Sequence, residues 1–390
     1  MNVWDKSLEL HENRKGKIEV VSKVGILNRE SLSLAYTPGV AAPCRRIAED
    51  PSLVYRYTSK GNFVAVVTDG TAVLGLGNIG PRASLPVMEG KAVLFKEFAG
   101  IDAVPICIDS TDPKEIIRTV CLIAPSFGGI NLEDIAAPRC FEIEEELKKR
   151  LDIPVFHDDQ HGTAIVTLAG IMNALKFTGK KMHQCRFVIA GAGAAGIATA
   201  KLLNRTGVKD VILVNRNGIV TRKQPQKNSV LEQVAAETNK DERSGQLKDA
   251  FTDSDVFIGL AGANMVTESM VASMNDSPVV FAMANPDPEI MPESAKNAGA
   301  VVVGTGRSDF PNQINNVLAF PGVFRGVMDV RASVINDDMK IAAAEAIAGI
   351  ITEKELKAEY VIPDVFNQLV VKRVASAVAQ KAIETGAANQ

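Results

Sequence analysis

Cysteine is scarce and scattered: Cys44, Cys107, Cys121, Cys140 and Cys185 are odd in number and include no C-x-x-C pair. That pattern argues against a disulfide framework or a cysteine metal site and favours reduced thiols in a cytosolic protein. No stretch approaches the roughly 18 uninterrupted apolar residues of a membrane span, and the opening MNVWDKSLELHENRKGKIEV lacks the apolar core of a signal peptide. The expectation is a cytoplasmic chain that neither crosses a membrane nor is exported. Charge of one sign is missing too: 43 Lys and Arg against 46 Asp and Glu leave a formal net charge of -3. Nothing electrostatic therefore points to nucleic acid or an anionic lipid surface as partner. Repeats and low-complexity tracts are absent. What is present is an ordinary globular composition, 46% hydrophobic and 23% charged, suited to a small-molecule ligand.

At 390 residues the chain exceeds the roughly 250 to 300 residues at which single cores stop growing, so two domains are expected. Apolar runs alternate with helical patterns. FVAVV (63–67), AVPICI (103–108) and IPVF (153–156) read as strands, with PKEIIRTVCLIA and CFEIEEELKKRL as helices between them. In the second helix Glu144 and Lys148, Glu145 and Lys149, and Glu146 and Arg150 are four apart, which supports a solvent-facing helix. TAIVTLAGIMNALK (163–176) is apolar all round and predicts a buried helix leading out of the first domain. Runs at 186–190, 211–214, 256–260, 279–284 and 301–305 predict the fully buried strands of a parallel, doubly wound sheet. The polar stretch 221–245 reads as loop and exposed helix. Two final helices are expected at about 337–350, capped by Asp337, and 365–385, stopped by Gly386. The fold class is α/β: an N-terminal domain over 1–162, a Rossmann-type dinucleotide-binding domain over 163–330, and C-terminal helices over 331–390 that pack back.

G-x-G-x-x-G occurs twice. Gly75, Gly77 and Gly80 are followed by Pro81 and Pro86, and the second proline would fall inside the helix that must present its N-H groups to a pyrophosphate; we reject this match. Gly191, Ala192, Gly193, Ala194, Ala195 and Gly196 stand between a strand and a proline-free helix, with another strand about 20 residues on, as a dinucleotide loop requires. That next strand ends in Asn215 and Arg216, where an acidic residue would mark NAD. Asn215 can bond a ribose hydroxyl, and Arg216 can pair with a 2′-phosphate. NAD and NADP both stay open, with a slight lean to NAD.

Acidic pairs supply the other chemistry. FHDDQHGTA (156–164) sets His157 and His161 four apart, which evokes a helical zinc motif, but it follows a strand and lacks the glutamate such motifs carry. Its Asp158-Asp159 pair, together with Glu133-Asp134 in GGINLEDIAAP, suits magnesium or manganese better. Neighbouring residues on a regular strand face opposite ways, so joint ligation by Glu133 and Asp134 demands a strand end or turn. His157 and His161 are then expected to pack around the carboxylates.

SLAYTPGVA (33–41), VVTDGTAVLGLGNIGPRASLPVMEGKAVLFKEFAGIDAVPI (66–106), GGINLEDIAAPRCF (128–141), PVFHDDQHGTA (154–164), the Gly191 loop, AMANPDPEI (282–290) and PNQINNVLAFPGVFRG (311–326) together resemble the malic enzyme family, short bacterial type. The resemblance implies that Tyr36 is the general acid and Lys91 the general base. It makes Glu133, Asp134 and Asp159 metal ligands with Asp158 beside them in support. It places Asn285 at the nicotinamide, and Lys91, Asn315 and Asn316 at the substrate. The implied reaction converts (S)-malate to pyruvate and CO2 with reduction of NAD or NADP and a Mg2+ or Mn2+ requirement, in a homodimer. A lysine beside a divalent cation and partly desolvated can have its pKa lowered toward neutrality and serve as base. One departure is Ala72, where larger members carry an arginine that grips a malate carboxylate; Arg82 and backbone N-H groups are candidates for that task. Two other readings stand beside this one: an oxaloacetate decarboxylase of the same family without net redox, and a non-catalytic Rossmann nucleotide sensor. The intact Gly191 loop favours the redox enzyme over the first, and the presence of Tyr36, Lys91 and the carboxylates argues against the second.

Overall fold

The computed structural model describes residues 2–73 and 75–389. Four strands form the first sheet: β1 (Phe63–Thr68), β2 (Asp102–Cys107), β3 (Gly129–Leu132) and β4 (Val155–His157), in the order β2-β1-β3-β4 and parallel throughout. Six form the second: β5 (Arg186–Ala190), β6 (Asp210–Asn215), β7 (Gly218–Ile219), β8 (Val256–Gly259), β9 (Val279–Ala282) and β10 (Val302–Thr305). Their order is β10-β9-β8-β5-β6-β7, parallel except for the β6-β7 hairpin. Val64 to Val67 in β1 and Val279 to Ala282 in β9 are inaccessible to solvent, as expected where helices cover both faces of a parallel sheet. The chain runs outward from β5 to β6, then returns to the other side of β5 to lay down β8. The turn after β5, which carries the Gly191 motif, therefore lies at the switch point where such sheets bind ligands.

The runs read as strands lie within a residue or two of their observed ranges, β3 and β7 having no counterpart among them, while three local expectations need correction: the setting of DDQHG, the Asp337 cap and the exposure of the helix in 221–245. The Gly80–Ala99 helix contains Pro86 and continues past it. An internal proline costs about 3 kcal/mol, but Met88 and Phe95 on one face are fully buried, and each such side chain contributes about 1.5 to 3 kcal/mol. Packing outweighs the break. The DDQHG stretch lies inside a helix after all: Asp158–Thr178 starts directly after β4. Asn336, not Asp337, caps the Asp337–Ala348 helix, its side chain accepting from Met339 N. Within 221–245, the Ser229–Glu237 helix is not fully exposed, since it buries Leu231, Val234 and Ala235.

The C-terminal elements do pack back. Phe95 of the Gly80–Ala99 helix meets Phe320 and Phe324 edge-on at 4.8 and 5.1 Å, and Phe324 meets Phe156 of β4 at 5.8 Å. The Phe320–Asp329 helix thus follows β10 in sequence yet packs on the first sheet. Gly322 and Gly326 let the Leu369–Glu384 helix approach it closely, because a side chain at either position would overlap Val374 or Val378. Asn173, buried within the long Asp158–Thr178 helix, donates to Ala348 O and Val361 O at 3.0 Å each. No helix of the described residues is long and apolar enough to cross a membrane.

The N-terminal arm behaves differently. No residue of the Val3–Arg14 helix is buried, and Val3, Trp4, Leu8, Val20, Val21, Val24, Leu27 and Leu34 are exposed. Lys17 tethers it to the body, its backbone N donating to Glu89 Oε2 at 3.0 Å and its Nζ to Pro86 O at 2.7 Å, and Lys23 Nζ lies 3.9 Å from Asp102 Oδ2 of β2.

Candidate active site

The two sheets face one another across a cleft of about 740 Å³. Ala72, Val73, Asp134 to Ala137 and Asp159 line it from the first sheet; Gly193 to Gly196, Leu260 to Ala263, Met283 to Asn285, Asn315 and Asn316 line it from the second. Gly75 and Gly77 of the rejected glycine motif also border it.

On the second-sheet side the Gly191 motif makes the strand-turn-helix that its sequence predicts. Gly191 adopts φ +112°, and a side chain there would overlap Leu260 O; one at Gly196 would overlap Gly191 O. The Ala194–Arg205 helix then presents its first N-H groups to the cleft, an arrangement suited to a pyrophosphate. At the end of β6, Asn215 Oδ1 accepts from Asn217 N at 2.8 Å in the turn toward β7, and Arg216 is exposed.

On the other side β3 ends at Leu132, and Asp134 adopts a left-handed φ of +53°. That reversal answers the geometric objection to adjacent ligands: it ends the alternation of a strand, so Glu133 and Asp134 serve one point. Asp159, in the first turn of the Asp158–Thr178 helix, completes the group, and one carboxylate oxygen from each of the three lies within 4.8 Å of the others. Asp159 Oδ2 also accepts from Asp134 N at 2.7 Å. Asp134 Oδ2 is buried without a hydrogen-bond partner. Burial, followed by the charges of Asp159 and Glu133, pushes the Asp134 carboxyl up to about 9. A cluster of hard oxygen donors that repel one another, with one oxygen unpartnered, fits magnesium or manganese.

Lys91 is buried beside this cluster, its Nζ 2.8 Å from Glu133 Oε1 and 2.6 Å from Asp158 Oδ2. Its ammonium also lies 4.2 Å from the centre of the Phe320 ring. In the metal-free chain burial by itself pulls Lys91 down, but Asp158 and Glu133 together hold it above its ordinary value. Burial pushes Asp158 up to about 6, against the opposing pull of Lys91. Asn316 Nδ2 donates to Asp158 Oδ2 at 2.5 Å, and a side chain at Gly162 would overlap the Asp158 carboxylate. Asp158 is therefore the partner of Lys91 and Asn316. Asn315 Oδ1 accepts from Val317 N at 3.0 Å and shapes the turn that delivers Asn316.

The histidines do not form a zinc pair. His161 Nε2 lies 2.8 Å from Glu144 Oε1, and burial pushes the imidazole down to about 3, so it stays neutral. Glu144 also receives Lys148 Nζ at 2.7 Å and His157 N at 3.3 Å. It thereby anchors the start of the helix that carries Asp158 and Asp159. His157 is fully buried, its Nδ1 3.7 Å from Asp159 Oδ2.

Tyr36 is not brought to this cluster within one chain. It ends the Arg29–Ala35 helix at 67% exposure, and among the described residues no hydrogen bond joins its side chain to Lys91 or the carboxylates. Arg82 is exposed and outside the cleft lining. Two contributors escaped sequence reasoning. Asn131 donates through Nδ2 to Glu133 Oε2 at 2.8 Å; its spacing of two from Glu133 on a strand end was the available signal. Phe320, under Lys91, comes from a distant helix and offered none.

Residues 15–148 match the family described as malic enzyme, N-terminal domain, and residues 160–383 match malic enzyme, NAD binding domain. The chain is 60% identical over 389 residues to the bifunctional malic/malolactic enzyme of Bacillus subtilis (strain 168), covering 100% of this chain and 95% of that one. It is 55% identical over 390 residues to the NAD-dependent malic enzyme of Geobacillus stearothermophilus, covering 100% of this chain and 81% of the relative. Among solved structures, the malic enzyme from Pyrococcus horikoshii Ot3 superposes with a TM-score of 0.96 at 51% identity, over 100% of this chain and 92% of that chain.

Proposed function

The chain belongs to the malic enzyme family, and on that premise we propose that it oxidises (S)-malate to pyruvate and CO2 while reducing a nicotinamide dinucleotide, NAD in preference to NADP, with Mg2+ or Mn2+ as its metal. The observation that carries this reading is the buried Lys91, held between Glu133 and Asp158 beside a cleft whose far wall is the dinucleotide loop.

A divalent cation held by Glu133, Asp134 and Asp159 supplies Lewis acidity toward substrate oxygens when bound. Lys91 Nζ in its neutral form takes the proton of the C2 hydroxyl as hydride leaves C2 for the nicotinamide, and Asp158 Oδ2, at 2.6 Å, holds Nζ in place. Burial of Lys91 against Phe320 keeps this exchange away from bulk water. The N-H groups at Ala194 to Gly196 receive the pyrophosphate, Asn285 lies toward the nicotinamide, and Asn315 and Asn316 orient the substrate. After CO2 departs, Tyr36 protonates C3. With Ala72 in place of an arginine, backbone N-H groups along the cleft hold the remaining carboxylate.

Tyr36 can act only if the arm that carries it is docked at a cleft. The arm exposes Val3, Trp4, Leu8, Val20, Val21, Val24, Leu27 and Leu34, side chains that a partner can cover, and a self-complementary two-fold pairing is the commonest form of such a contact. A homodimer in which the arm of one subunit delivers Tyr36 to the cleft of the other satisfies both requirements. Mixing the Tyr36→Phe and Lys91→Ala subunits, each inactive alone, tests this arrangement. After subunit exchange half of the dimers are mixed and each has one intact site, so about a quarter of wild-type turnover returns; delivery within one subunit predicts almost none.

The activity itself is tested by adding malate, Mn2+ and NAD or NADP to the purified protein and following absorbance of the reduced coenzyme. Coenzyme reduction is expected, with kcat/KM higher for NAD. Oxaloacetate consumed without any coenzyme reduction from malate would replace this reading with a decarboxylase lacking net redox.

A further inference from the structure

Glu289 is completely buried, although it lies in a loop, ANPDPEI, between β9 and the Pro292–Asn297 helix. Its two carboxylate oxygens point to different segments: Oε1 accepts from Ala261 N at 3.1 Å and Oε2 from Ala284 N at 3.0 Å. Ala261 belongs to the loop after β8 and Ala284 to the loop after β9, and both loops line the cleft opposite the metal cluster. The last ladder partners of these strands are Gly259 and Ala282, so beyond them the two loops need another connection. Glu289 supplies it, reinforced by its own carbonyl, which accepts from Val266 N at 3.0 Å, and by Asn264 N donating to Pro288 O at 3.0 Å. The connection reaches the dinucleotide turn, because Leu260 N donates to Ala190 O at 2.8 Å. Gly259 makes room for it, since a side chain there would overlap the Glu289 carboxylate.

Only a carboxylate can make this tie. Both partners are backbone donors, so both side-chain atoms must be acceptors, and glutamine would set its NH2 against one of the two N-H groups. Among the described residues no lysine, arginine or histidine forms an ion pair with Glu289, so its retention is not explained by charge pairing. Burial pushes its carboxyl upward, and the Ala284 and Ala261 N-H groups draw it back toward the ionised form.

We propose that Glu289 is a positioning residue for the coenzyme: by joining Ala261 to Ala284 it fixes the wall of the cleft against which the nicotinamide half of the dinucleotide rests. This rests on the dinucleotide reading of the cleft. It is separable from the metal chemistry, because Asp134 and Asp159 line the opposite wall, with Lys91 buried behind them beside Glu133.

The test compares Glu289→Gln with wild type in three measurements: Kd for NAD by calorimetry, kcat/KM for NAD in malate oxidation, and oxaloacetate decarboxylation with Mn2+ and no coenzyme. Losing one charge-assisted bond and leaving one buried N-H unpaired is expected to weaken NAD binding by about tenfold, with a matching fall in kcat/KM. Decarboxylation is expected to stay within about twofold of wild type, as the lost bond is on the other wall. An unchanged Kd, or an equal fall in both activities, overturns the proposal, the second result marking a merely structural role. If the variant does not fold, hydrogen exchange on the wild-type enzyme decides: the Ala261 and Ala284 amides are expected to be protected like those of β8 and β9, and exchange at exposed-loop rates overturns the proposal. Failure of wild type to bind NAD at all would instead overturn the dinucleotide reading.

Discussion

Lys91→Arg abolishes malate oxidation while leaving the protein folded, with kcat falling by about 10³-fold or more, toward the upper end of what a positioned base contributes. Arginine keeps the positive charge between Glu133 Oε1 and Asp158 Oδ2, but its guanidinium cannot give up a proton at any pH the protein survives. The loss therefore reports proton transfer and not the ion pair. Lys91→Ala gives the same catalytic loss with a second effect. It strips two buried carboxylates of their cation, and removing one partner of a buried pair typically costs about 3 to 5 kcal/mol. A clear drop in Tm is expected for the alanine variant and a much smaller one for the arginine variant. Turnover by Lys91→Arg above about a tenth of wild type, against the loss expected for a base, would end the assignment of Lys91 as the base.

Asp134→Asn is expected to reverse the sign of the metal's effect on stability. In wild type, Glu133, Asp134 and Asp159 crowd together, and burial with like charge already drives the Asp134 carboxyl up to about 9. Taking one carboxylate away relieves that repulsion, so the metal-free variant is expected to melt at or above the temperature of metal-free wild type. Adding Mn2+ at about 100 times its Kd stabilises wild type by about 2.7 kcal/mol. The variant, having lost a ligand, shows almost none of this gain and loses malate turnover. Thermal melts of both proteins, with a chelator and with Mn2+, supply the measurement. A variant less stable than wild type without metal, yet still stabilised by Mn2+, would show that Asp134 is structural and not a ligand.

The site was legible in sequence where its chemistry is local. The Gly191 turn could be read because its requirements, a strand before, small residues within and a proline-free helix after, all lie within about 20 residues. The acidic pairs could be seen because they sit at the ends of apolar runs, and two such pairs near a nucleotide domain suggested a hard cation. Even within that range, local rules misjudged DDQHG, which lies in a helix whose start is held by the Glu144 anchor.

Composition, the order of strands and helices, the dinucleotide turn and the presence of two acidic pairs were determined by the sequence itself, because alternation, helical periodicity and turn chemistry act between near neighbours. The tertiary structure alone decided which groups share a field. It set Lys91 against Asp158, 67 positions away, and so placed a buried lysine between two carboxylates. It turned Asp134 to a left-handed φ so that adjacent carboxylates converge. It also joined Ala261 and Ala284 through Glu289, and left Tyr36 in solvent, away from the carboxylates. Charge, burial and shared hydrogen bonds sum over whatever is close in space, and closeness in space is what the linear order of residues does not state.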